Sequence, residues 1–134
     1  MSFSLYPIAQ VGDGSLFASS MPKPQRLSHC LDQIEAANIS TVVCLLEQSE
    51  MQSLGLAQWL PDCSHRGIKP VHFPIKDFGT PAADTLDPLV SELHDQLSSG
   101  NNILVHCRGG IGRSGLLCCA MEREWQLVIT RNVL

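Results

Sequence analysis

The chain has 134 residues, a length that suits one domain over residues 1–134 and allows a buried core without disulfides or a structural metal. Its net charge of −4, with 44% hydrophobic and 16% charged residues, argues against binding to nucleic acids or to membrane surfaces. No apolar run reaches the ~18 residues of a membrane-spanning helix, and the N-terminus lacks the pattern of a signal peptide, so we expect a cytoplasmic protein.

The first part of the chain alternates predicted strands and helices. Residues 3–9 and 15–18 are short strand candidates on either side of a glycine-rich turn. Apolar positions spaced four and three apart then predict a helix that begins after Pro24 and ends near Asn38. The β-branched apolar run at 41–46 is typical of a central parallel strand that is covered on both faces.

The second part continues the alternation. Its predicted elements are short helices ending near Gly55 and Gly67, a strand at 71–75 weakened by Pro74, a helix over 86–97 closed by Gly100, a strand at 103–106 and a helix from Ser114. This alternation predicts an α/β fold with a mostly parallel central sheet flanked by helices. Functional loops are then expected at the carboxyl ends of the strands.

The chemistry concentrates in residues 106–115, which read His-Cys-Arg-Gly-Gly-Ile-Gly-Arg-Ser-Gly. A strand, a loop and a helix in succession leave the first N–H groups of the helix without partners, and the helix dipole adds positive charge there. Such a loop suits phosphate. The residues expected to hold the anion are Arg108, Gly109, Gly110, Ile111, Gly112 and Arg113.

Each polar side chain of this loop has an expected task. Arg113 supplies a fork of N–H groups that matches phosphate oxygens. Helix N-termini and nearby cations favour the thiolate form of cysteine, so Cys107 is the expected nucleophile. Ser114 could donate a hydrogen bond to the sulfur when it departs. His106 is expected to orient the loop by hydrogen bonding to the backbone.

Other chemically capable side chains have simpler interpretations. The six cysteines include no CxxC pair and no Cys/His spacing typical of zinc, so we expect no metal and no other cofactor. Cys44 and Cys63 are best interpreted as small buried hydrophobes, although either could trap an oxidised Cys107 as a disulfide. His65 and His72 are expected to be structural histidines, and Trp59 and Trp125 are expected to be core or surface aromatics.

The arrangement His106-Cys107-x5-Arg113-Ser114 resembles the signature of the cysteine-dependent protein phosphatases, in particular the dual-specificity branch. Residues 16–22, 42–47 and 72–77 are similar to the subgroup related to cyclin-dependent kinase-associated phosphatase. The resemblance implies a protein tyrosine phosphatase-like fold and hydrolysis of phosphoprotein through a phosphocysteine intermediate. It also implies a general acid on a separate upstream loop, a position that Asp77 matches. Asp84 and Asp87 are weaker candidates because they suit the first turn of the next helix.

Two features leave alternatives open. Relative to the family, the chain is expected to lack the last helices that cover the sheet, because the apolar helix pattern stops near Trp125. A non-catalytic phosphate-binding or regulatory module is therefore one alternative. A rhodanese-type sulfurtransferase is another, since it also places a cysteine in a loop of N–H groups, but the Cys-x5-Arg-Ser spacing and Asp77 argue against it. The oligomeric state is open.

Overall fold

The computed structural model describes residues 3–75, 83–109, 113 and 117, apart from the side chains of residues 83–86. In chain order the strands and α-helices are β1 (Tyr6–Val11), β2 (Gly14–Ser19), α1 (Leu27–Ala36), β3 (Ile39–Cys44), α2 (Gln48–Ser53), α3 (Trp59–His65), β4 (Lys69–His72), α4 (Ala83–Ser98) and β5 (Asn102–His106). A single 3₁₀ turn, Pro24–Arg26, precedes α1.

The strands form one five-stranded sheet in the order β1-β2-β5-β3-β4. β2, β5, β3 and β4 are parallel to one another, whereas β1 joins β2 as an antiparallel hairpin. The predicted α/β fold with a mostly parallel sheet flanked by helices is therefore confirmed. β5 lies at the centre of the sheet, between β2 and β3, so the residues that follow it leave from the middle of the carboxyl edge.

Both faces of the sheet are buried, which explains why β3 is apolar throughout. Val43 faces a cluster that includes Leu93 and Leu97 of α4. Its neighbours Val42 and Cys44 face a second cluster, built with side chains of α1, α2 and α3 such as Ile34. Successive side chains of a strand point to opposite faces, so a strand between two helical layers needs apolar residues at every position.

The ends of the helices follow the local signals in the sequence. Asn38, just beyond α1, adopts a φ of 58°, the left-handed conformation that asparagine tolerates. Gly100 follows α4 with a φ of 93°. Helix α4 begins at Ala83, earlier than its apolar periodicity indicates, and it contains Pro88 within its second turn. A proline there removes one N–H bond, a local cost that the buried face of α4 offsets.

Two strands begin and end earlier than the sequence predicts. The apolar run at 41–46 extends beyond the last strand residue, Cys44, although Leu45 and Leu46 stay fully buried. The predicted strand at 71–75 is observed as Lys69–His72. Backbone bonds continue beyond it, because Ile75 N–H still donates to the Leu45 carbonyl at 3.0 Å. Pro74, which has no N–H, interrupts the regular ladder between them.

The first strand also begins later than predicted, at Tyr6, while Phe3 is buried outside any strand. Within the described ranges, no helix is long and apolar enough to cross a bilayer. The expected absence of the last helices concerns residues after Leu117, which lie outside the described part of the chain, as does Trp125.

Candidate active site

The central strand β5 delivers two side chains to the carboxyl edge of the sheet. His106 is its last residue and is fully buried, and Cys107 follows with 2% of its surface exposed. The register of the parallel strands places Cys44 of β3 beside His106, and His72 of β4 beside Cys44. The edge therefore carries a row of polar or polarisable side chains on three adjacent strands.

The backbone after β5 is held in place by hydrogen bonds that its carbonyl groups accept. The His106 carbonyl accepts from Leu45 N–H at 3.0 Å, and the Arg108 carbonyl accepts from Met21 N–H at 3.3 Å. Between them, the Cys107 carbonyl faces Nδ1 of His106 at 3.4 Å. In a planar trans peptide the C=O and the N–H point in opposite directions. The N–H groups of Arg108 and Gly109 therefore point away from these partners, and within the described residues no acceptor takes them.

Arg113 is anchored beside this loop by a carboxylate that lies far away in sequence. Its guanidinium is 4% exposed and makes a bidentate pair with Glu50, whose side chain is 17% exposed. Nη2 donates to Oε2 of Glu50 at 3.0 Å, and Nη1 donates to Oε1 of Glu50 and to the Ile75 carbonyl at 3.0 Å. The bidentate pair fixes the plane of the guanidinium.

Glu50 is itself fixed by the start of α2. It occupies the third position of the helix in a capping box, in which its Oε1 accepts from the Glu47 N–H at 3.0 Å. The hydrogen bonds from Arg113, more than any other contact, lower the pKa of the Glu50 carboxyl below its ordinary value. A charged Glu50 thus holds a charged Arg113 at the edge of the sheet.

His106 lies in a buried environment that disfavours its charged form. Burial lowers its pKa from 6.5 to about 4, and nearby His72 acts in the same direction. Trp59, the first residue of α3, donates its indole N–H to Nε2 of His106 at 2.9 Å. The imidazole at the base of the loop is therefore neutral at physiological pH.

Two further cysteines lie near the site and are inert in this state. Burial raises the pKa of the Cys44 thiol to about 11 and that of Cys63 to about 12. Arg113 lowers the pKa of Cys44, whereas Glu50 and Cys107 raise it, so all three side chains lie near that thiol. Both cysteines are free and fully buried, as their interpretation as hydrophobes requires.

The structure brings together part of the predicted set. His106, Cys107, Arg108 and Gly109 are consecutive at the end of β5, and Arg113 is packed against the same edge. The remaining predicted site residues lie outside the described residues: Asp77, Gly110, Ile111, Gly112 and Ser114. His72 is structural, since its Nε2–H donates to the Leu46 carbonyl at 2.6 Å.

Two residues of the site are not among its predicted members, since no role is predicted for Glu50 and a core or surface aromatic is predicted at Trp59. Glu50 and Trp59 contact Arg113 and His106, respectively, across long sequence separations. The pair Glu47-x-x-Glu50 directly after a predicted strand is a helix-start signal that could have drawn attention to Glu50. Within the described part of the chain, no group of three or more His, Cys, Asp or Glu side chains could hold a metal ion.

The chain is similar in sequence to known proteins. The chain is 29% identical to mouse cyclin-dependent kinase inhibitor 3 over 90 residues, which cover 67% of the chain and 43% of that relative. The chain thus spans less than half the length of this relative.

Solved structures give the same fold. Kinase associated phosphatase, in a form with its catalytic cysteine replaced by serine, matches with a TM-score of 0.81 at 18% identity, covering 92% of the chain and 75% of that protein. A mutant form of Tk-PTP matches with a TM-score of 0.68 at 29% identity, covering 86% of the chain and 69% of Tk-PTP. The protein tyrosine phosphatase-like fold is therefore confirmed.

The family model described as "Polymorphic toxin system, DSP-PTPase phosphatase" matches residues 19–124, which include β5, the loop after it and Glu50. The resemblance of the signature loop to the dual-specificity phosphatases is thereby confirmed. The chain belongs to the DSP-PTPase phosphatase family of polymorphic toxin systems.

Proposed function

We propose that the protein hydrolyses phosphate monoesters, with phosphorylated protein as the substrate class. The observation that supports the proposal most is the direction of the carbonyl and N–H groups in the backbone after β5. The Cys107 carbonyl faces the His106 ring and the Arg108 carbonyl accepts from Met21 N–H, so the N–H groups of Arg108 and Gly109 point the other way, where no acceptor among the described residues takes them. Cys107 lies at the start of this loop, and Arg113 is held at the same edge by Glu50.

The proposed reaction has two steps. The Cys107 thiolate attacks phosphorus, the ester P–O bond breaks, and Asp77 protonates the leaving oxygen. Asp77 then takes a proton from the water that attacks the phosphocysteine, the S–P bond breaks, and inorganic phosphate leaves. Ser114 donates a hydrogen bond to the departing sulfur in this second step. Arg113 and the loop N–H groups stabilise the charge on the phosphoryl oxygens in both steps.

The pairing of Arg113 supports this task. The bidentate ion pair with Glu50 fixes the plane of the guanidinium beside Cys107 and keeps its positive charge at the edge of the sheet where the phosphate is proposed to bind. The bond from Nη1 to the Ile75 carbonyl also ties Arg113 to the chain two residues before Asp77. We therefore propose that the arginine that binds phosphate also anchors the base of the segment that carries the general acid.

The substrate class follows from the family and the relatives. Their names describe tyrosine and dual-specificity phosphatases and a cyclin-dependent kinase inhibitor. We propose a phosphorylated protein as the partner, without a metal or other cofactor, since the loop and Arg113 supply the positive charge. The described cysteines are all free thiols, which supports the proposal of a reducing, cytoplasmic compartment.

The nucleophile is tested by hydrolysis of an aryl phosphate by the wild type and by Cys107→Ser. We expect turnover by the wild type and none above background by the variant, because the serine hydroxyl stays protonated. Cys30→Ser makes the same chemical change at another buried thiol, in α1, and should retain activity. Equal rates for the wild type and Cys107→Ser would remove Cys107 as the nucleophile. Phosphopeptide binding without turnover would support the non-catalytic module instead.

The general acid is tested by its dependence on the leaving group. Asp77→Asn should slow hydrolysis of alkyl phosphates by about 10²–10⁴-fold, and that of activated aryl phosphates much less, since a good leaving group needs no proton. Asp87→Asn, an exposed position in α4, is the matched control. Equal slowing of both substrate classes by Asp77→Asn would show that Asp77 is not the acid.

A further inference from the structure

Trp59 makes a directional contact with the signature histidine that the sequence does not indicate. The indole is fully buried at the start of α3, and its Nε1 lies 2.9 Å from Nε2 of His106. The two rings meet edge to face, with centroids 5.9 Å apart and an interplanar angle of 72°. A packing contact alone would not require the indole N–H to point at a ring nitrogen.

This contact determines which nitrogen of His106 carries the proton. The indole N–H can only donate, so Nε2 of His106 must accept and carries no hydrogen. The neutral imidazole then has its single proton on Nδ1. Nδ1 faces the Cys107 carbonyl at 3.4 Å, a long contact that a protonated Nδ1 makes favourable and a bare Nδ1 would make repulsive.

The Cys107 carbonyl belongs to the peptide whose other end is the Arg108 N–H. Holding that carbonyl towards His106 turns the Arg108 N–H the opposite way. A flip of this peptide would remove the first N–H of the proposed phosphate-binding loop and put a carbonyl in its place. The neighbouring Arg108 carbonyl is held independently by Met21 N–H, so within the described part of the chain the His106 ring is the contact that holds the Cys107–Arg108 peptide.

We propose that Trp59 is a positioning residue: its N–H fixes the Nδ1–H tautomer of His106, and through it the orientation of the Cys107–Arg108 peptide in the phosphate-binding loop. The catalytic part of this inference rests on the proposed phosphatase function, whereas the tautomer does not. Trp59 contacts no substrate; it acts only through His106.

The surroundings of His106 are consistent with a ring that stays neutral. Among the described residues, the ring is flanked by His72 of β4, which opposes the charged form, and by Cys44 of β3, a buried thiol, while Cys107 meets the ring through its backbone carbonyl. Burial lowers the pKa of His106 to about 4. Protonation of Nε2 would also bring two N–H groups face to face, so the indole and the buried site oppose the charged form together.

The test is the protonation state of each His106 nitrogen, measured at pH 7 by two-bond ¹⁵N–¹H correlation spectra. In the wild type we expect a protonated Nδ1 and an unprotonated Nε2. In Trp59→Phe, which keeps an aromatic ring and loses the donor, we expect a shift towards the Nε2–H form. Ile34→Val, a substitution in the same buried cluster on α1, should leave the His106 signals unchanged.

A second variant allows the test to be made even if Trp59→Phe does not fold. Replacement of Trp59 by β-(3-benzothienyl)alanine changes the N–H to sulfur and preserves the ring shape, so it should produce the same change in tautomer. If both folded variants keep the wild-type tautomer, the proposal is wrong. If the wild type itself carries its proton on Nε2, the assigned hydrogen bond is wrong as well.

Aryl phosphate hydrolysis, measured well below the melting transition, is the second readout. We expect kcat to fall at least tenfold in both Trp59 variants and not in Ile34→Val. A changed tautomer with an unchanged kcat would overturn the positioning role. Absence of activity in the wild type would instead refute the proposed function, and the spectra would still decide the tautomer.

Discussion

Glu50 offers the sharpest test of how the site is held together. In Glu50→Gln the side chain keeps its length and one carbonyl oxygen, but it loses its charge and one of the two acceptors for Arg113. Hydrogen bonds to charged groups contribute about 1.5–3 kcal/mol each, and breaking a buried ion pair costs about 3–5 kcal/mol. Because Glu50 is 17% exposed and one bond is kept, we expect a loss of about 2–3 kcal/mol in the free energy of unfolding.

The assay pairs urea denaturation with aryl phosphate hydrolysis. With a urea m-value of about 1–3 kcal/mol/M, the expected loss moves the unfolding midpoint by roughly 0.7–3 M. We expect kcat/KM to fall about 10²-fold, the effect of small misplacements of a catalytic group. Glu92→Gln is the matched control, because it breaks the Lys69–Glu92 pair, whose side chains are 57% and 52% exposed. Such a pair contributes at most about 1 kcal/mol.

The pH dependence gives an independent check on the same pair. The pKa of Glu50 is lowered in the folded state, chiefly by the Arg113 hydrogen bonds, so its stabilisation is present above the ordinary carboxyl range and is lost as the pH falls through the folded pKa. The stability difference between wild type and Glu50→Gln should therefore shrink below about pH 4. A variant that matches the wild type in midpoint and in kcat/KM at neutral pH would refute the proposed positioning of Arg113 by Glu50.

Two further predictions concern the buried histidine and a close backbone contact. Folding lowers the pKa of His106 from 6.5 to about 4, so between these pH values the unfolded chain binds a proton that the folded chain does not. The free energy of unfolding of the wild type should therefore fall by roughly 3 kcal/mol as the pH drops from 6.5 to 4. His106→Asn should lose less over this range in urea titrations, and an equal loss would assign the effect to other groups. A Cβ at Gly14 would clash with the Leu97 carbonyl oxygen and lie 2.5 Å from that of Asn101, so Gly14→Ala should lower the free energy of unfolding by about 2–3 kcal/mol. Gly67→Ala is the control, because the space there is open and only the positive φ opposes a side chain, so the free energy of unfolding should fall by about 1 kcal/mol. Equal melting temperatures for the two variants would contradict the close approach of Gly14 to the Leu97 and Asn101 carbonyls.

Much of the fold follows from local signals. The β-branched run that contains Val42 and Val43 predicts a strand buried on both faces, and the structure places it second from the edge between two helical layers. Asn38 and Gly100 mark helix ends because their backbone conformation is a property of one residue and its neighbours. Pro74 shows the limit of such reasoning, since the pairing of Ile75 with Leu45 continues past it.

The sequence by itself determined that Cys107 directly follows a buried strand with Arg113 six positions beyond it, because this spacing is local and its chemistry is specific. Only the tertiary structure decided what holds them. Glu50 reaches Arg113 across 63 positions, and Trp59 reaches His106 across 47. Contacts of that range depend on the order of strands in the sheet and on the way α2 and α3 pack beside β3, and no local pattern of residues encodes either of these.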